Sequence, residues 1–156
     1  MSRYRFTVGE EADWHALHAL LTACFAGMEG RIDPPSSLNR MTAETLRGKA
    51  RDEVLVQCFW NRDLVGCGFL APKAGVLYMG KLATAPAHRR KGILRRIMEI
   101  AEVLARQRGL CALVLQTRIE LVENHAAFAA LGFQETGTTA HLGFDRPTSV
   151  TMRKAL

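Results

Sequence analysis

Between residues 76 and 117 the chain passes from a strand pattern through a basic loop to an amphipathic helix pattern, then into a run that is apolar on both faces. Residues 76–84, VLYMGKLAT, read as strand, and after Pro86 the residues Ile93, Ile97, Ile100 and Leu104 recur at helical spacing. Arg95 with Glu99 and Glu102 with Arg106 stand four apart on the outer side, which predicts two helical ion pairs, and Gly109 supplies the stop. Residues 110–117, LCALVLQT, have no polar face, so they predict a central strand parallel to the one before the helix. A strand, a crossover helix and a parallel strand commit the chain to a sheet covered by helices.

The remaining segments fit around that unit. Residues 4–8 alternate weakly and predict an opening strand; residues 11–28 carry Trp14, Leu17, Leu21 and Phe25 at helical spacing. Gly27, Gly30 and Pro34-Pro35 break this helix, and residues 37–49 resume a shorter one through Leu38, Met41, Thr45 and Leu46. Residues 54–60 and 64–71 flank an Asn-Arg-Asp turn and predict a hairpin. A short helix over 121–131, closed by Gly132, and strands over 133–140 and 149–154 complete a mixed, three-layer α/β domain. At 156 residues, without repeat or linker, residues 1–156 read as one domain.

Charge narrows the function. The net charge is +6, yet residues 64–98 hold seven basic residues and no acid, leaving 14 basic against 15 acidic residues elsewhere. Such a concentrated field predicts a localised anion site rather than a generally basic protein. No apolar run approaches the roughly 20 residues needed to span a bilayer, and the N-terminus lacks the apolar centre of a secretory signal, so a cytoplasmic protein without membrane partners is expected. Cys24, Cys58, Cys67 and Cys111 form no C-x-x-C pair and are expected to be buried free thiols. The anion site falls at residues 87–94, AHRRKGIL, where a strand ends and the strong helix starts. Backbone N–H groups point outward there without partners, the peptide dipoles attract negative charge, and Gly92 lets a ligand approach the backbone. Five cations within residues 88–96, at the positive end of a helix, are unfavourable without an anion, and a pyrophosphate fits the requirement.

With this loop the chain resembles the GCN5-related N-acetyltransferase (GNAT) family, whose phosphate loop runs Arg or Gln, two variable residues, Gly, one variable residue, then Gly or Ala. Here it reads Arg89, Arg90, Lys91, Gly92, Ile93, Leu94, so the first four positions match and Leu94 replaces a small residue. The family's second signature is matched by Asn124, a helix through Phe128 and the closing Gly132-Phe133, with phenylalanine where the family often has tyrosine. The resemblance implies a three-layer α/β/α fold whose mixed, mostly antiparallel sheet is splayed between its fourth and fifth strands. It further implies acetyl-CoA as cofactor, its pantetheine arm hydrogen-bonded by Leu82, Ala83 and Thr84 and its pyrophosphate on residues 89–94, with Asn124 and Phe128 beside it. A bulge at residues 78–80 and an oxyanion donor near Leu82 would go with that arrangement.

The implied activity is direct transfer of the acetyl group to a primary amine. That chemistry needs a base, an oxyanion donor and a proton for the leaving thiolate. Glu120, Glu123 and His141 are candidate bases by placement, and Phe128 cannot donate a proton. Phe128 therefore keeps an alternative open, a non-catalytic acyl-CoA-binding or regulatory module. The acceptor side is expected at the first two helices and the loop of residues 30–37, with Arg31 and Asp33, and the late strands suggest a homodimer. Other patterns fail. Gly66-x-Gly68-x-x-Ala71 lies inside a strand and has no following helix, residues 79–82 lack a P-loop's first glycine and hydroxyl, and His15 with His18 has no third metal ligand. Nucleic acid is excluded for want of interleaved aromatics or a recognition helix.

Overall fold

The crossover unit lies at the centre of the molecule. A computed structural model describes residues 3–156 as β1 (Tyr4–Val8), α1 (Trp14–Phe25), α2 (Ala43–Asp52), β2 (Val54–Trp60), β3 (Asp63–Lys73), β4 (Val76–Thr84), α3 (Ile93–Gln107), β5 (Ala112–Arg118), α4 (Val122–Ala130), β6 (Gln134–Thr139) and β7 (Ser149–Ala155). The strands form one sheet in the order β1-β2-β3-β4-β5-β7-β6, antiparallel except for the β4–β5 pair. β3 is buried from Val65 to Ala71 without alternation, because helices cover both of its faces. On one face Leu17 and Leu21 of α1 and Leu46 of α2 meet Leu55 and Phe69. On the other, Ile93, Ile97, Met98, Ala101 and Ala105 of α3 pack with Met79, Leu113, Leu115, Phe128 and Phe133.

Two glycines let α3 and β4 approach β3. A Cβ on Gly66 would stand 2.8 Å from Ile93 Cγ2, and one on Gly68 would stand 2.8 Å from Leu82 Cδ2. The Gly-x-Gly pattern that imitates a nucleotide fingerprint is thus a packing requirement within a strand.

Local chemistry trims the predicted elements. α1 begins at Trp14 rather than residue 11 because the Asp13 carboxylate accepts the Ala16 N–H at 3.0 Å, and a 3-10 turn, Ala26–Met28, follows its end. The second predicted helix is divided into a 3-10 turn, Ser37–Arg40, and α2, whose start is set by reciprocal Thr42 and Thr45 hydrogen bonds. On α3, Ile100 and Leu104 flank the buried stripe, and the two predicted ion pairs give way to Arg96–Glu99 at 3.0 Å and Glu102–Lys154 at 2.8 Å. Lys154 comes from β7, a partner that helical spacing could not reveal. Cys58 and Cys67 are buried, with Cys58 pushed up to about 11 by burial, but Cys24 is half-buried and Cys111 is exposed. Among the described residues no helix is long and apolar enough to cross a membrane.

Candidate active site

β4 and β5 separate soon after they meet. Parallel pairing joins Leu77 to Leu113, Tyr78 to Val114 and Met79 to Leu115 and stops there, although β4 continues to Thr84 and β5 to Arg118. β5 keeps its full antiparallel register with β7, from Ala112–Ala155 to Arg118–Ser149. β4 stays with β3 but through a bulge, since Phe69 faces Gly80 and Cys67 faces Ala83, which leaves Lys81 and Leu82 opposite the single residue Gly68. The bulge therefore lies just beyond residues 78–80, and Lys81, at φ 50°, rather than Gly80 takes the left-handed conformation. Bulges increase local twist, so the two strands are turned apart and the edge of β4 at Leu82, Ala83 and Thr84 is left without a neighbouring strand.

Beyond Thr84 the chain makes a 3-10 turn, Pro86–His88, and enters α3 through two left-handed residues, Arg90 at φ 62° and Gly92 at φ 84°. Gly92 caps α3 without any side-chain acceptor, so the first amides of a 15-residue helix face outward. Nothing lies within 4 Å of the point where a Cβ on Gly92 would sit. Arg89, Arg90 and Lys91 are exposed, and among the described residues none of them makes an ion pair. Arg89 Nε reaches back to the Thr84 carbonyl at 3.4 Å. Leu94, the departure from the family pattern, packs against the core. Open space, free amides and unmatched cations fit a pyrophosphate, and the opened β4 edge fits an extended amide-bearing arm.

A cavity of about 950 Å³ opens at the splay. Leu82, Asn124, Phe128 and His141 line it; Ala83, Thr84, residues 89–94, Glu120 and Glu123 do not. Phe128 is 9% exposed and meets Phe133 edge-on, with ring centres 6.0 Å apart. His141 is the candidate base that faces the cavity. Its backbone N–H donates to Thr148 Oγ1 at 2.8 Å and its Nδ1 shares a short hydrogen bond with the same hydroxyl, which fixes the ring, while Nε2 has no hydrogen-bond partner among the described residues. Burial, with the Arg118 charge, pushes His141 below its ordinary value against the pull of Glu120. The ring is neutral near pH 7, as a base must be.

The two glutamates are engaged elsewhere. Glu123 lies 2.6 Å from Arg31, whose hydrogen bond holds the carboxyl below the usual carboxylate range, a direction that weakens it as a base. Glu120 Oε2 accepts the Asp33 N–H at 3.1 Å, while its Oε1 is buried and has no hydrogen-bond partner among the described residues. Both glutamates therefore tie the loop of residues 30–37 to the β5–α4 turn.

Four further residues were not evident as site residues in the sequence. Tyr78 and Gln116 both line the cavity. Burial, with the Glu53 charge, raises the Tyr78 pKa, so the tyrosine remains protonated with its own O–H free to donate. Lys81 and Arg118 also line the cavity. Arg118 donates to the Pro34 carbonyl at 2.7 Å and the Pro35 carbonyl at 3.1 Å, bracing the acceptor-side loop. A strand tyrosine two residues before Gly80 was visible in the chain, but only the splay shows that it faces a cleft.

Comparison with known proteins agrees with this geometry. Residues 14–133 match the acetyltransferase (GNAT) family. The uncharacterized N-acetyltransferase YsnE of Bacillus subtilis is 30% identical over 131 residues, covering 80% of this chain and 83% of that protein. The fold is that of the PaiA N-acetyltransferase from Thermoplasma acidophilum in complex with coenzyme A, at a TM-score of 0.81, 14% identity and coverage of 97% and 99%. A Bacillus subtilis acetyltransferase in complex with CoA superposes at a TM-score of 0.68, with 14% identity and coverage of 98% and 99%. The splayed β4–β5 pair, the uncapped helix behind a basic glycine loop and a family match across most of the chain converge, and the protein belongs to the GNAT family of acetyltransferases.

Proposed function

We propose that the protein is an acetyl-CoA-dependent N-acetyltransferase that acetylates a primary amine by direct attack within a ternary complex. The observation that carries this reading is the single cavity that holds the mouth of the β4–β5 gap, a neutral histidine and a protonated tyrosine together. Residues 89–94 would hold the pyrophosphate through the α3 amides and nearby cations, and Leu82, Ala83 and Thr84 would hold the pantetheine arm through backbone hydrogen bonds. Asn124 and Phe128 would flank that arm. Acetyl-CoA, when bound there, supplies the activated acetyl group.

The chain's own groups cover the proton transfers. His141, oriented by Thr148, takes the proton from the incoming ammonium. The backbone N–H near Leu82, freed from β3 by the bulge, faces the developing oxyanion. Tyr78 takes the place left by Phe128 and gives a proton to the departing sulfur as the C–S bond breaks, and it regains one from the second proton that the amine nitrogen sheds once the C–N bond has formed.

The alternative, a non-catalytic acyl-CoA-binding module, rests on Phe128 alone. Release of free thiol from acetyl-CoA, measured across a panel of primary amines, separates the two readings. Amine-dependent release is expected, and binding without release for every amine would establish the module instead. Tyr78→Phe should lower kcat by about 10²-fold while leaving the dissociation constant for CoA unchanged. A variant with unaltered kcat would return the role of acid to another group or to none.

A further inference from the structure

Among the described residues the cavity is lined by four cations, Arg40, Lys49, Lys81 and Arg118, and by no carboxylate. Lys49 is answered by Glu53 at 2.7 Å, and Arg118 is occupied by the Pro34 and Pro35 carbonyls. Lys81 differs. It stands in the β4 bulge in a left-handed conformation, where a side chain other than glycine is strained and needs a reason. Half-buried, it extends under the loop of residues 30–37 and donates to Ser37 Oγ at 2.8 Å. An ammonium carries three donors, and among the described residues it meets this neutral hydroxyl and, 5.9 Å away, the face of the Phe25 ring, but makes no ion pair with a carboxylate. Burial and the charges of Lys49 and Arg118 all push the lysine down, and only Glu53 opposes them. A half-buried cation among like charges is unfavourable until an anion enters. The phosphates of the cofactor have their own cradle at the start of α3, away from this cavity.

We infer that the acceptor is an amine bearing an anionic group, a carboxylate or a phosphate-like group, which Lys81 binds with Ser37 at its side. Phe25, Met28 and Phe144 line the same cavity and would cover an apolar body between the two polar ends. The proposal rests on the acetyltransferase reading for the identity of the amine as acceptor, and deepens it by naming the acceptor's charge.

The test is calorimetric titration of the CoA-saturated protein with matched sets of apolar amino acids, their amides and their aminophosphonate analogues. The amino acid or the aminophosphonate should bind about tenfold or more tightly than the neutral amide, and which of the two binds identifies the anion. Lys81→Met should remove that preference and leave the dissociation constant for CoA unchanged. Lys81→Arg should retain part of it. Equal or tighter binding of the amide, no binding by any member, or a Lys81→Met variant that keeps the preference would overturn the proposal. So would a Lys81→Met variant that weakens CoA as much as the amino acid, because the lysine would then serve the cofactor. Thiol release on the same sets distinguishes the two levels. Turnover confined to neutral amines removes the anion subsite and keeps the acetyltransferase, while silence with every amine removes the acetyltransferase reading and leaves the binding preference to be judged by itself.

Discussion

The half of the site that carries the basic glycine loop comes from one unbroken stretch, β4 through the loop to α3, whereas the opposite half is assembled from segments that meet only in the folded chain. In the first half the chemistry is backbone chemistry, consisting of free amides at a helix start and an unpaired strand edge, with cations nearby. In the second it belongs to side chains held by distant partners. Arg118 grips the Pro34 and Pro35 carbonyls, Glu120 takes the Asp33 N–H, Arg31 meets Glu123, and Arg146 meets Asp33 at 3.0 Å. Backbone donors survive substitution of the side chains around them, while a side-chain lattice can be rebuilt without disturbing the sheet. The two halves should therefore fail separately.

The largest expected effect lies in the first half. Gly92→Glu places a side chain at φ 84° and a carboxylate at the α3 start, and should weaken CoA binding by about 100-fold or more. Calorimetry on a variant with wild-type circular dichroism checks it, and affinity within twofold of wild type would remove the loop as the anion site.

His141→Gln strikes the second half and should lower kcat by about 10²-fold or more with CoA affinity unchanged. The pH profile sharpens the assignment. A base works when unprotonated, and the His141 pKa lies below its ordinary 6.5, so activity should fall as pH drops through a limb below 6.5. The glutamine variant should lose that limb; a variant that keeps it would assign the base elsewhere.

Arg118→Met removes two charge-assisted bonds from the loop of residues 30–37. It should raise the acceptor KM, cost about 1–2 kcal/mol in denaturant-measured stability and leave CoA binding intact. A rise in the CoA dissociation constant instead would mean that the two halves are coupled. Glu123→Gln should do least. Its pair with Arg31 is exposed at both ends, so neither Tm nor turnover should shift measurably. A large loss of turnover would bring Glu123 back as the base.

Much of the first half was legible because its signals are local. The stripe through Ile93 and Ile97, the bounds of β4 and the glycine at the α3 cap are all expressed within a few residues of one another. Lys81 was not legible. Non-glycine residues rarely take positive φ, so the neighbouring Gly80 drew the expectation of the bulge, and the register against β3 moved it one step along. The Tyr78 role was hidden for a related reason, since a strand residue shows its face by alternation but not whether the next strand has moved away.

By itself the sequence determined the crossover unit, the β2–β3 hairpin and the basic glycine loop at the start of α3, because hydrophobic period, glycine placement and charge act over short stretches of chain. Tertiary structure alone decided which candidate base faces the cavity, that Glu123 is committed to Arg31, and that Lys81 meets the Ser37 hydroxyl and the Phe25 ring but no carboxylate among the described residues. Contacts such as Arg118 to Pro34, 84 residues apart, leave no periodicity in the chain; they exist only because the sheet brings those carbonyls within reach of a half-buried guanidinium that must satisfy its donors.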